Sequence, residues 1–140
     1  MALTQNVEVK SLNKGYYVTR LSNGTDELYK GAFVNVVQST GKIVVAADTA
    51  THMFDGYVAE YVSAVANTPV KVVKNDVAWF AKSGAAITDI GKAVWATGDD
   101  TLTTTPATNV LPCGQIVDVD VAGARWLVDF AKGPIRDITT

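Results

Sequence analysis

His52 is the one histidine of the 140-residue chain and Cys113 the one cysteine. A serine or cysteine nucleophile needs a neighbouring base. A lone histidine closing the small, polar stretch Ala46–His52 reads as a solvated side chain rather than that base. Cys113, between Pro112 and Gly114 at the start of an apolar run, reads as a small buried hydrophobe. A single cysteine also excludes an internal disulfide framework and a multi-cysteine zinc site. Asp99–Asp100 and Asp118/Asp120 could suggest calcium. The EF-hand loop, with spaced acidic or amide ligands, a glycine and a closing glutamate, is absent. These acids read instead as turn residues and the wet face of a strand. Gly41–Lys42 and Gly91–Lys92 look like the ends of phosphate loops. Neither has a glycine five residues before its Gly-Lys, nor Ser or Thr after it, so no cradle of N–H donors is encoded. The sequence therefore predicts no catalytic residue, no metal site, no cofactor and no enzyme.

The aromatic residues are the other candidates. Trp79, Trp95 and Trp126 sit in strand-like runs and read as core or subunit contacts. Tyr16, Tyr17, Tyr57 and Tyr61 are candidates for exposed aromatics. At interfaces Tyr and Trp act as anchors, because each buries a large area while losing few rotamers. Exposed aromatics on a sheet would also suit a carbohydrate-binding module.

The elements that must position these residues are strands. Ile116–Val121 alternates, with Val117, Val119 and Val121 expected on one side and Ile116, Asp118 and Asp120 on the other. Arg125–Phe130 alternates again, with Trp126, Val128 and Phe130 together, and Ala122-Gly123-Ala124 joins the two runs as a hairpin. Phe33–Gln38 and Lys42–Ala46 flank Ser39-Thr40-Gly41, another hairpin. Phe54–Val62, with Gly56 as a bulge or close-approach point, is expected to pair with Val70–Lys74. Tyr16–Leu21 is a strand by residue type, closed by the Asn23-Gly24 turn. Ala81–Thr88, alanine-rich and broken by Gly84, has room for one short helix. No segment of ten or more residues carries a convincing helical stripe. The fold class predicted is all-β: a compact β-sandwich or small β-barrel.

The chain also repeats itself. Gly31–Val36 parallels Gly91–Ala96, Thr40-Gly41 parallels Thr97-Gly98, Asp55–Ala59 parallels Cys113–Val117, and Ala66–Val72 parallels Ala122–Val128. The offset of roughly 57–60 residues falls near that of repeated supersecondary units. Two copies suit one closed β domain of two similar halves, about 31–74 and 91–130, within a single domain 15–130. Gly31, Gly41, Gly56, Gly91, Gly98 and Gly114 are its structural glycines. Residues 1–14 form an N-terminal arm with sparse apolar positions, expected to be ordered mainly by contact with something else; the plainer alternative is an edge strand. Residues 131–140, with Pro134 unable to join a central strand, form a tail.

Hydrophobic residues make up 48% and charged residues 19%, against about 25% charged for an average soluble domain. So sparsely charged a surface is expected to be covered in part by partners. The net charge is −2 and there is no basic stripe, which argues against nucleic acid. No apolar run approaches the ~18–20 residues of a membrane span, and Met1–Lys10 has no apolar signal region. The expected product is soluble and cytosolic.

The series Gly31…Val34…Gly41…Phe54-Asp55-Gly56-Tyr57-Val58-Ala59…Val70-Lys71-Val72 resembles the capsid decoration, or cement, proteins of tailed bacteriophages. So does Ile90-Gly91-Lys92-Ala93-Val94-Trp95…Thr97-Gly98…Leu102-Thr103-Thr104…Gly114-Gln115-Ile116-Val117…Trp126-Leu127-Val128. The resemblance covers about Gly31 to Phe130 and rests on glycines and valines. It implies a compact β domain, a homotrimer on the outer face of the virion capsid at three-fold or quasi-three-fold positions. The partners would be the major capsid protein and the protein itself, with no nucleic acid and no membrane. Leu3, Val7, Val9, Leu12, Tyr16 and Tyr17 are the expected contacts to capsid or neighbour. The alternative function is a carbohydrate-binding or tail/baseplate β module of a phage particle.

Overall fold

A computed structural model describes residues 3–13 and 15–132. Among them the regular secondary structure is almost wholly strand: β1 (Lys10–Asn13), β2 (Tyr16–Ser22), β3 (Phe33–Val37), β4 (Lys42–Val45), β5 (His52–Val58), β6 (Pro69–Lys74), β7 (Val77–Ala81), β8 (Ala93–Gly98), β9 (Thr101–Thr103), β10 (Gly114–Asp120) and β11 (Arg125–Asp129). The connection after β7 holds a single 3₁₀ turn, Ile87–Asp89, and a second such turn, Phe130–Lys132, follows β11. The all-β class is as expected. β2-β4-β3-β5-β6 closes into a barrel, and β1-β7-β11-β10-β8-β9 forms an open sheet.

The two halves have one wiring. Val34 faces Gly56 as Val94 faces Gly114, and Val36 faces Ile43 as Ala96 faces Leu102. Val58 faces Val72 as Ile116 faces Val128. Gly31 N–H reaches the Val58 carbonyl at 2.8 Å, and Gly91 N–H the Ile116 carbonyl at 2.7 Å. Both glycines take left-handed backbone, φ +88° and +91°, which a side chain would strain. Gly56 and Gly114 press against the next strand, where a Cβ would strike the carbonyls of Val73 and Asp129. Each unit also holds one strand more than the repeated sequence suggested. β2 pairs with β6 through Val18–Val72, and β7 pairs with β11 through Ala78–Val128. The units are therefore 16–74 and 77–129.

Two expectations need correction. The simple alternation of β10 fails: Ile116 and Val119 are buried while Val117 and Val121 are exposed. The register slips between Ile116 and Asp118, so an extra residue flips the later side chains to the opposite face. The arm is not free of the domain either. Lys10–Asn13 is the edge strand β1, antiparallel to β7. Its partner lies more than sixty residues further along, so no local turn announces the pairing. The expected tail lies outside the described residues from 133 onward.

The cores differ. The barrel interior is aliphatic: Leu28, Val34, Ile43, Val58, Val62, Val70 and Val72. A second cluster fills the open unit and continues across the junction to the barrel's outer face, with Phe33, Phe54, Tyr57, Phe80 and Phe130 at the join. Phe80 lies 5.2 Å from Phe33 and 5.3 Å from Phe130, ring centre to ring centre. Such pairs contribute about 0.5–1.5 kcal/mol each beyond the area they bury.

Candidate functional site

In the barrel, β2 and β4 close the ring as a parallel pair, Leu21–Lys42 and Ser22–Ile43. Asn23 N–H then donates to the Ile43 carbonyl at 2.9 Å. The equivalent ends of the second unit, β7 and β9, do not pair, and β9 ends its sheet. The carbonyl of Leu102, counterpart of Ile43, is met instead by the ammonium of Lys82 at 2.8 Å. That ammonium also stands 4.9 Å from the centre of the Trp126 ring. Two differences mark the gap. Where the barrel pairs Arg20 with Val70, the second unit pairs Phe80 with Trp126, and β1 occupies part of the β7 edge.

The open seam leaves a cleft of about 490 Å³, walled by Phe33, Trp79, Phe80 and Asp99 and roofed by Leu3–Lys10. This N-terminal strap is tied at several points. Leu3 N–H donates to both carboxylate oxygens of Asp99 at 3.2 Å. Val7 N–H donates to the Lys30 carbonyl at 2.7 Å, and Lys30 N–H donates to Asn6 Oδ1 at 2.9 Å. Lys30 Nζ pairs with Glu8 at 2.7 Å, and Ser11 Oγ donates to Asp76 at 2.8 Å. Asp99, expected as a solvated turn acid, is buried, and burial raises its pKa against the opposing pull of the Leu3 N–H. Its backbone carbonyl accepts from Phe33 N–H at 2.9 Å, so one residue joins strap, barrel and second unit. Asp76 is the other joint. Fully buried between β6 and β7, it accepts from the hydroxyls of Tyr57 and Ser11.

The six expected contact residues divide. Leu3 and Val9 pack partly buried against the two cores, and Val7 lines the cleft at 40% exposure. Leu12, Tyr16 and Tyr17 point outward, at 66%, 51% and 42% exposure. Leu21 continues the outer face of β2 at 44%. Tyr57, a candidate exposed aromatic, is buried, since it stands on the β5 face that meets the second unit. Trp126 is buried, its Nε1 donating to Asp89 at 3.0 Å. Trp79 is half-buried under the Arg125 guanidinium, 4.9 Å from ring centre to Cζ.

His52 is not a solvated loop residue: it opens β5 opposite Val37, with a buried Nδ1 that has no hydrogen-bond partner among the described residues. Cys113 is buried as expected, and burial pushes its thiol up to about 12. Its counterpart in the barrel is Asp55, the extra residue of a bulge in β5. Burial works to raise the Asp55 pKa, but Arg20 at 3.0 Å and Lys74 at 2.8 Å outweigh it and hold the carboxyl below its usual range. Among the described residues no group of three or more His, Cys, Asp or Glu is placed to hold a metal, and no helix is long and apolar enough to cross a membrane.

Sequence reasoning missed Lys82, Asp76, and the anchoring role of Asp99. It also missed Glu27, whose carboxylate accepts from the hydroxyls of Tyr29 and Tyr61. Those two bonds, Tyr29's the larger, draw its pKa down. Comparison with family models, curated proteins and solved structures finds no match to the chain.

Proposed function

We propose that this chain is a structural virion protein that binds the outer surface of an expanded phage capsid, as a trimer at three-fold or quasi-three-fold positions, and stabilises the shell. The resemblance of residues 31–130 to decoration proteins suggests it. The observation that carries it is the set of large apolar side chains left exposed on β1 and β2, Leu12, Tyr16, Tyr17 and Leu21, all at least 42% exposed. Rigid aromatic anchors lose little rotamer freedom when covered. Each contact can be weak, because a second attachment to the same shell is effectively intramolecular.

Deleting residues 1–14 and measuring occupancy and heat stability of expanded shells tests the reading; loss of both is expected. The deletion also removes β1, so the double variant Leu12→Ser/Tyr16→Ser keeps the strap and alters only that exposed set. Full occupancy by that variant would remove the set from the mechanism. Light-scattering mass in solution reads the trimer directly.

A further inference from the structure

Because the chain carries one five-strand wiring twice, each unit is a control for the other. What both share is demanded by the fold, and what one alone carries is free to serve something else. The clearest difference lies on the barrel surface. Tyr29 and Tyr61 pack with ring centres 5.4 Å apart at 50°. Both hydroxyls donate to one carboxylate, Tyr29 to Glu27 Oε2 at 2.6 Å and Tyr61 to Oε1 at 2.9 Å. Between them the Leu28–Val62 bridge, bonded both ways at 2.9 and 2.8 Å and buried, fixes the two loops from below. In the second unit the position of Tyr29 is held by Asp89, which spends its carboxylate on Ala86 N–H and Trp126 Nε1. The position of Tyr61 is held by Val119, which is buried. The same strand order forms there without a tyrosine pair.

The pair is also ordered in advance. Its hydroxyls are held by Glu27 and its backbones by the bridge, so a ligand meets ring faces whose ordering cost is already met. Tyr61 is 44% exposed and borders an open groove of about 380 Å³ that Thr19, Glu60, Ser63, Thr68 and Lys71 also line. We propose that this groove, with Tyr61 as its platform, binds a saccharide. A pyranose has what the lining asks for: an apolar C–H face for the ring, hydroxyls to donate to Glu60, and oxygens to accept from Lys71 and Ser63. A lipid chain would strip water from these polar groups and return no hydrogen bonds. A nucleic acid would bring phosphates against Glu60. The groove adjoins the surface assigned to the capsid, since Thr19 stands between Tyr17 and Leu21 on β2 and the Lys71 ammonium lies 4.1 Å from the centre of the Tyr17 ring; shell occupancy and saccharide binding by the free chain are read separately, so either reading can fail alone.

The test is titration of the full chain with maltohexaose, cellohexaose, chitohexaose and, as a cationic control, hexa-arginine, following the tyrosine ring resonances by NMR. At least one hexasaccharide is expected to move Tyr29 and Tyr61 while the buried Tyr57 stays put. Tyr61→Ala is expected to weaken that binding at least about tenfold, the loss of a stacking face. Tyr61→Phe keeps the face, loses only the bond to Glu27, and is expected to weaken it about threefold or less. Three results would overturn the proposal: no saccharide moves either ring, the binding survives Tyr61→Ala, or hexa-arginine alone moves the pair. The last would assign the surface to a cationic protein segment.

Discussion

The barrel and the open unit share a wiring and differ in what fills it. Around Val70 and Val72 five strands close into a ring, and backbone bonds seal the last joint. Around Trp126 and Phe80 the same order of strands stays open, and a lysine side chain reaches across the gap. Strand order is thus set by turns, glycines and register, while closure needs a free strand edge, and β1 takes part of that edge from β7. What the open unit loses in backbone pairing it recovers by sharing its core with the barrel's outer face.

That sharing gives the largest expected effect. Asp76 is buried and holds Tyr57 of the barrel and Ser11 of the strap at the start of the second unit. Asp76→Ala removes two hydrogen bonds and leaves the Tyr57 hydroxyl buried without its acceptor, and is expected to cost about 4 kcal/mol. Urea denaturation followed by tryptophan fluorescence and by far-ultraviolet circular dichroism checks it. Coincident transitions would say the units unfold together. Separate transitions would break the comparison, because each unit would then stand alone.

Next comes Trp126→Val, which gives the second unit the residue its twin has at Val70. The change is expected to leave a cavity rather than a closed ring, because β1 still holds part of the β7 edge. The expected cost is about 3 kcal/mol, read as a shift of the urea midpoint. A neutral or stabilising result would mean that the open unit collapses and closes.

Much of this wiring was legible in the sequence, because its signals are local or repeat themselves. Gly31 and Gly91 mark the same left-handed corner, Gly56 and Gly114 the same close approach, and three hairpins announce themselves by their turns. The joint residues were not legible. Lys82 meets Leu102 only because β7 and β9 end side by side, and Asp99 meets Leu3 across ninety-six positions. Nothing in a window of ten residues separates either from an ordinary surface charge. The bulge in β10 was hidden for a similar reason: one extra residue leaves the valine spacing intact and changes only which valines are buried. Of the six contact positions, the sequence identified the apolar ones and could not divide them, since β1 and the strap take their facing from β7 and Asp99.

The two units also titrate differently. Asp55 in the barrel has a folded pKa below its ordinary value, owing to Arg20 and Lys74 against the cost of burial. Its stabilisation is present above the unfolded value of about 3.9 and is lost as pH falls through the folded pKa. Asp99 has the opposite sign. Burial raises its folded pKa, so its contribution is full below the unfolded value and is lost as pH rises through the folded one. Asp55→Asn is therefore expected to cost about 2 kcal/mol at pH 7 and much less at pH 2. Asp99→Asn is expected to flatten the curve between pH 4 and neutrality. Melting temperature against pH for both variants checks the signs, and parallel curves would sink the assignment.

The smallest expected effect is the most specific to the seam. Lys82→Met keeps the length and apolar stem of the side chain and removes the donor to the Leu102 carbonyl and the charge over Trp126. The site is half-buried, so water can take over part of the lost bond. The expected cost is about 1 kcal/mol in the urea midpoint. The barrel has no matching side-chain donor to remove, because there the Ile43 carbonyl is met by the backbone N–H of Asn23, which any substitution but proline leaves in place. Amide exchange separates the two joints more finely. Lys82→Met should speed exchange in β8 and β9 and leave β3 and β4 unchanged. Equal acceleration in both pairs would mean that the lysine supports the whole molecule and not the joint that the second unit failed to close.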